Sequence, residues 1–222
     1  MRPLPKSSDA NSIVENAIGI FGGTFDPIHL GHINPALEIA KQLNLQKIVL
    51  MPANIPPHKS EAHANSEQRL QMLNDVCTAH PEFQLDTREL SRQGKSFTFL
   101  SMQEFRAEHK DAKLFFFIGA DSLLTLPTWF KIDELLKLCH FVVSKRPGYD
   151  IEALDDSFYQ GRLCTDVTDI GDALSGKILV LNSAQIDVSS TQIRERLQTD
   201  VDCQQYLLPQ TLDYIKKQQL YR

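Results

Sequence analysis

The eleven residues Gly22-Gly23-Thr24-Phe25-Asp26-Pro27-Ile28-His29-Leu30-Gly31-His32 leave this chain few folds to choose from. They follow an apolar run, Ala17–Phe21, and lead into apolar residues at helical spacing: Ile33, Ala36, Leu37, Ala40 and Leu43. The order is strand, glycine turn, helix. Gly22 and Gly23 have no Cβ, so a ligand can come close to the backbone there. The amides that open the helix, with the helix dipole behind them, favour an anion. Gly31 lets that anion approach, and His29 and His32 then face it from a single turn.

The rest of the chain repeats the same alternation. Strand-like runs fall at Ala17–Phe21, Lys47–Met51, Phe83–Leu85, Leu114–Ile118, His140–Ser144 and Lys177–Leu181. Helical patterns fall between most of them, at His32–Leu43, Glu67–Ala79, Phe97–His109 and Ile132–Leu138, and a proline-started amphipathic helix closes the chain. Alternation of this kind predicts an α/β fold, a doubly wound, Rossmann-like open parallel sheet with helices on both faces and right-handed crossovers. Residues 1–16 read as a mostly disordered leader, and 17–222 as a single domain. Within it, 149–176, rich in Asp and Gly, is a peripheral insertion with room for a short helix at Ile151–Phe158. A chain of 222 residues can bury a full core.

Charge and cysteine usage exclude several classes. A formal charge of −5 and a pI near 5.8 argue against a general nucleic-acid binder. No apolar run approaches the roughly 20 residues of a membrane helix, and Ile13-Val14 is too short for a signal-peptide core. Cys77, Cys139, Cys164 and Cys203 are scattered without a C-x-x-C pair, which points to reduced thiols in a cytoplasmic protein rather than a zinc or redox site.

The unusual residues cluster after the strands, where open α/β sheets bind ligands. Pro52–Lys59 is too proline-rich for a helix and reads as a stiff loop carrying His58 and Lys59. In Asp86–Thr98, Gly94 suits a turn and Ser96 suits a helix N-cap. Gly119-Ala120-Asp121 places a carboxylate in the loop after the fourth strand, as a ribose acceptor or a plain cap. Trp129, the only tryptophan, serves either the core or a stacked ligand. Lys145-Arg146 adds positive potential at the same edge. Ser189 or Ser190 caps a last site helix, in which Thr191 and Arg194 bring a hydroxyl and a guanidinium to one point beside free amides, an arrangement suited to a polyphosphate.

These motifs carry a resemblance that covers about residues 17–221. The first block resembles the nucleotidyltransferase signature G-T-F-D-x-x-H-x-G-H. Several further segments resemble the nicotinate-nucleotide adenylyltransferase branch of that superfamily: Pro56-Pro57-His58-Lys59; Glu89 through Thr98, with Phe97 where the branch has tyrosine; Gly119-x-Asp121 followed by Trp129; Ser189-Ser190-Thr191-Gln192-Ile193-Arg194; and the Tyr206-Leu207…Leu220-Tyr221 ending. The resemblance implies adenylyl transfer from ATP to nicotinate mononucleotide, a step of NAD biosynthesis. It assigns ATP to Gly22, Gly23, Thr24, Phe25, His29, His32, Asp121, Ser190, Thr191 and Arg194, with His29, His32 and Arg194 catalytic. The acceptor falls to His58, Lys59, Thr98 and Trp129. No carboxylate cluster is present for a resident metal, so Mg²⁺ is expected to arrive with ATP. Partners are then the two nucleotides, with neither nucleic acid nor membrane. The alternatives are nicotinamide mononucleotide or phosphopantetheine as acceptor, or a non-catalytic nucleotide sensor on the same fold; phosphopantetheine enzymes usually carry threonine where His29 stands.

Overall fold

The structure, a computed structural model, describes residues 16–55, 62–145, 157–183 and 186–222. Among the described residues, seven strands form one all-parallel sheet in the order β3-β2-β1-β4-β5-β7-β6. They are β1 (Ala17–Gly23), β2 (Ile48–Pro52), β3 (Phe83–Leu85), β4 (Lys113–Gly119), β5 (His140–Lys145), β6 (Leu163–Cys164) and β7 (Ile178–Asn182). Strand order reverses between β1 and β4, where Phe21 pairs with Phe117. That reversal opens a crevice at the carboxyl edge.

Each strand feeds two cores because its side chains alternate. Ile48 and Leu50 enter one cluster and Val49 and Met51 the other, and Phe115/Phe117 separate from Phe116/Ile118 in the same way. The first face is covered by α1 (Leu30–Gln42), α2 (Ser66–Ala79), α6 (Ser190–Gln198) and α7 (Pro209–Lys217). The second is covered by α3 (Thr98–Glu108), α4 (Ala120–Thr125) and α5 (Ile132–Leu135). The expected doubly wound sheet with helices on both faces is what the chain forms.

Local chemistry explains the helix starts. Asn65 and Gln68 form a reciprocal capping box at α2, and Ser189 and Gln192 do the same at α6. Pro209 opens α7 at a position where its missing N–H costs nothing. Three helices differ from expectation: α4 forms at Ala120–Thr125 where a loop carrying Asp121 was expected, and two others differ at their ends. α1 begins at Leu30, inside the histidine block, and α5 stops at Leu135 because the following amides bond three residues back, Lys137 to Glu134 and Leu138 to Leu135.

Residues 1–15 of the expected leader and 149–156 of the expected insertion lie outside the described residues, as does most of the Ile151–Phe158 segment. Asn16 accepts the Lys113 amide through its carbonyl at 3.0 Å. Residues 163–164 supply β6, an edge strand that the sequence pattern did not suggest because two residues are too few for a period. Among the described residues no helix is long and apolar enough to cross a membrane.

Candidate active site

The site begins where β1 runs into its glycines. A Cβ on Gly22 would stand 2.8 Å from the Phe116 ring, and one on Gly23 would stand 2.9 Å from the Phe25 ring. Their bare backbone is therefore demanded by aromatic packing as well as by any ligand. Phe25 takes a left-handed φ of 51°, and its ring is buried under the loop. The Asp26–Pro27 peptide that follows is cis.

His29 is the extended residue that starts α1, and its side chain makes no capping bond. Its ring lies over that of His32 at a tilt, centroids 3.7 Å apart and planes 31° apart. His29 is 4% exposed and its Nδ1 has no hydrogen-bond partner. Burial pulls its pKa down to about 4, so at neutral pH it is an uncharged imidazole with donor capacity in reserve. Gly31 keeps the ring in place: a Cβ there would meet His29 Nδ1 at 2.9 Å and the Ile186 carbonyl at 3.2 Å. The open helix N-terminus expected from the sequence needs one correction. The Leu30 amide is already donated to the Tyr206 carbonyl at 2.8 Å, and the His32 amide to the His29 carbonyl at 2.8 Å, so neither is left for an anion.

α6 brings the cation from the other side. Ser189 is the cap, which settles the choice between the two serines and frees Ser190 to donate its hydroxyl to the Pro27 carbonyl at 3.0 Å. Arg194, one turn on, donates to the Asp26 carbonyl at 2.8 Å and to Thr191 Oγ1 at 3.3 Å. The histidine loop and α6 are thus one hydrogen-bonded unit.

Three residues of this unit received no role from the sequence. Asp26 is buried, and its carboxylate accepts from the His63 and Ala64 amides at 2.7 and 3.0 Å and from the Tyr221 hydroxyl at 2.7 Å. Burial alone would raise its pKa; those donors and the Arg194 charge outweigh burial and hold it below the usual carboxylate value. Arg69, 2% exposed, donates through Nη1 to the carbonyls of Thr24 and Ala53 at 2.7 and 2.8 Å, tying β1's loop to β2's. A signal existed for Arg69: it occupies the apolar stripe of α2 with Met72, Leu73 and Val76, where an unpaired cation is costly.

The far end of the cleft is built from α3, α4 and the segment after them. Thr98 is the first residue of α3. The capping expected of Ser96 is not made: Phe97 holds the cap position, while Ser96 Oγ accepts the Asn54 amide at 2.9 Å and Ser96 bonds to Glu89. Glu89 is buried, with Ser101 donating to it at 2.6 Å; burial raises its pKa, against the pull of its Ser101 and Ser96 bonds and of Arg92. Trp129 is half-buried, edge-on to Phe116 and Phe141 with centroids at 6.3 and 5.9 Å, which fixes the indole at the cleft wall. Asp121 is exposed in the first turn of α4.

One cleft of about 1180 Å³ joins these parts. Its walls include Gly22, Gly23, Thr24, Phe25, His29 and His32 from the first loop, Ser190, Thr191 and Arg194 from α6, and Thr98, Asp121 and Trp129 from the far end. The volume exceeds a typical small-molecule pocket of roughly 300–1,000 Å³. His58 and Lys59 lie outside the described residues, as does Arg146. The described start of their loop is tied to the site, with the Ala53 amide on the Gly23 carbonyl at 2.8 Å.

Residues 20–196 match the model of the cytidylyltransferase-like family. The chain is 39% identical over 92% of its length to a probable nicotinate-nucleotide adenylyltransferase of Shewanella frigidimarina, of which 99% is covered. It is 41% identical over 91% of its length to one from Klebsiella pneumoniae, of which 95% is covered. Among solved structures, Plasmodium falciparum nicotinic acid mononucleotide adenylyltransferase complexed with NaAD superimposes with a TM-score of 0.71 at 20% identity, over 93% of this chain and 98% of that one. A putative nicotinate-nucleotide adenylyltransferase from Vibrio parahaemolyticus gives 0.64 at 16% identity, over 94% and 96%. At these identities the structural likeness speaks for the fold.

Proposed function

The chain belongs to the cytidylyltransferase-like family and, within it, to the nicotinate-nucleotide adenylyltransferases, and we propose that it catalyses the reaction of that branch. An oxygen of the nicotinate mononucleotide phosphate attacks the α-phosphorus of ATP in line. The bond to the β-phosphate oxygen breaks, and nicotinate adenine dinucleotide and pyrophosphate leave. The attacking phosphate is already anionic, so no general base is required. Catalysis then comes from alignment and from stabilising charge on the transferring phosphoryl group.

The observation that carries this reading is the His29–His32 pair, 3.7 Å apart at the strand-order reversal, in one cleft with Thr191 and Arg194. In this reading the two imidazoles bracket the α- and β-phosphates, with Thr24 and the backbone of Gly22, Gly23 and Phe25 beside them. Neutral His29 acts as a hydrogen-bond donor, and the arriving anion raises its pKa. Ser190, Thr191 and Arg194 take the end of ATP that becomes pyrophosphate. Asp121 serves the adenosine ribose, Thr98 and Trp129 the pyridine ring, and His58 and Lys59 the acceptor phosphate. A flat aromatic partner such as Trp129 contributes on the order of 1–3 kcal/mol by stacking.

Mg²⁺ is proposed to arrive with ATP, largely hydrated, and to offset charge on the phosphates. Four unpaired cysteines, three of them buried, support a reducing compartment such as the cytoplasm.

The test is pyrophosphate release from ATP and Mg²⁺, with nicotinate mononucleotide and nicotinamide mononucleotide as parallel acceptors. A clear preference for the acid is the expected result. Equal use would make the enzyme dual in specificity. Release only with some other phosphorylated acceptor would overturn the substrate, and ATP binding without release would make the protein a sensor.

A further inference from the structure

We propose that Tyr221 is a positioning residue for Arg194, and that the C-terminal segment is a strut holding the nucleotide loop in its working shape. The proposal rests on the adenylyl-transfer reading above. The Tyr221 hydroxyl reaches across 195 positions of sequence to donate to Asp26 Oδ1 at 2.7 Å. The His63 and Ala64 amides donate to the same carboxylate at 2.7 and 3.0 Å. Three neutral donors therefore occupy the group that Arg194 would otherwise seize.

The guanidinium geometry records the result. Arg194 Nη1 stands 4.0 Å from Asp26 Oδ2 and bonds instead to the Asp26 backbone carbonyl at 2.8 Å. A bidentate pair with the carboxylate would commit the N–H donors on one edge of the fork. Here the carboxylate holds Arg194 by charge without capturing it, and further donors remain for an anion in the cleft that Arg194 lines.

A second tie comes from the same segment. The Tyr206 carbonyl accepts the Leu30 amide at 2.8 Å, at the first residue of α1. Between the two ties α7 is seated by buried Leu212 and Ile215 in the core that also holds α2. The chain takes a left-handed φ of 62° at Tyr221, and the ring is 8% exposed. Burial and the Asp26 charge keep its hydroxyl protonated far above the working pH range, so it is always a donor.

Tyr221→Phe keeps the ring and removes the donor. Asp26 Oδ1 then keeps only the Ala64 amide at 3.0 Å, and Arg194 closes the 4.0 Å gap between its Nη1 and Oδ2 to pair with the carboxylate that has lost a donor. The experiment compares the Kd of a non-hydrolysable ATP analogue with Mg²⁺, and the KM values of both substrates, in wild type and Tyr221→Phe. The expected result is a rise of about tenfold in the analogue's Kd and in KM for ATP, the size of a lost hydrogen bond to a charged group. The KM for nicotinate mononucleotide should stay within twofold, and in an Arg194→Ala background the Tyr221→Phe effect on Kd should vanish. An unchanged Kd, an equal rise in both KM values, or the same rise in the Arg194→Ala background would overturn the proposal. The analogue's Kd does not involve the acceptor. A wild type that fails to use nicotinate mononucleotide would therefore sink the reaction assignment and leave the Tyr221 comparison standing.

Discussion

Gly31 shows how much of the site rests on a missing atom. Its Cβ would lie 2.9 Å from His29 Nδ1 with the Ile186 carbonyl at 3.2 Å on the other side, so neither neighbour can yield without moving the imidazole. The ring has no bond of its own at Nδ1 to hold it against such a push. Gly31→Ala is expected to lower kcat/KM about a hundredfold, the scale of an ångström of misplacement in a catalytic group. The fold should survive, because Gly31 sits in the first turn of α1, where alanine is well tolerated. Steady-state kinetics beside a thermal melt checks both halves. Activity within a few fold of wild type would mean that the position of His29 matters little to the reaction.

Among the elements, α2 does more for the site than its place on the outside of the sheet suggests. Its Arg69 donates to the carbonyls of Thr24 and Ala53, which belong to two different loops. Arg69→Met keeps most of the volume and leaves both carbonyls buried without a donor, so a loss of about 3 kcal/mol is expected in urea unfolding. A loss under about 1 kcal/mol would mean that water replaces the guanidinium. The variant should also bind ATP more weakly, because Thr24 belongs to the loop that Arg69 anchors. α6 shows the same division of labour on a smaller scale: Ser189 serves its own helix and Ser190 serves the neighbouring loop.

For the whole molecule, two buried histidines among the described residues set the acid side of stability. His29 at the carboxyl edge and His140 inside the sheet both have pKa values pulled down to about 4, chiefly by burial. His140 accepts the Lys177 amide at 3.2 Å through Nδ1 and donates through Nε2 to the Ala173 carbonyl at 2.9 Å, which fixes one neutral tautomer. In the unfolded chain both rings take up a proton near pH 6.5, while the folded chain resists until about pH 4. The native state thus binds fewer protons across that window, and stability must fall as pH drops through it, by roughly 3 kcal/mol for each ring. Glu89, raised by burial, works weakly against this trend, and Asp26, held low, adds its loss only at more acid pH. Urea midpoints at neutral pH and near pH 4.5 measure the fall. His140→Gln should halve the slope; an unchanged slope would mean that His140 is not buried as a neutral ring.

The alternation of apolar runs, the glycine–histidine block and the serine-capped arginine helix are local patterns, and they were enough to read the parallel sheet and most of the cleft. Periods of 2 and 3.6 residues and the steric rules for glycine and proline act within a few positions, so a single chain displays them. What it cannot display is which distant groups share a buried polar atom. Asp26 stands inside the glycine–histidine block and Tyr221 next to the last residue, and their bond spans 195 positions that no local rule connects. The occupied Leu30 amide, the Ser96 hydroxyl turned to Asn54 instead of its own helix, and the two carbonyls waiting for Arg69 are of the same kind. The sequence alone determined the fold class, the carboxyl edge as the place where the motifs gather, and the residue types found there. The tertiary structure alone decided which donors are already committed and which remain for a ligand, because a buried polar group must find a partner wherever packing brings one.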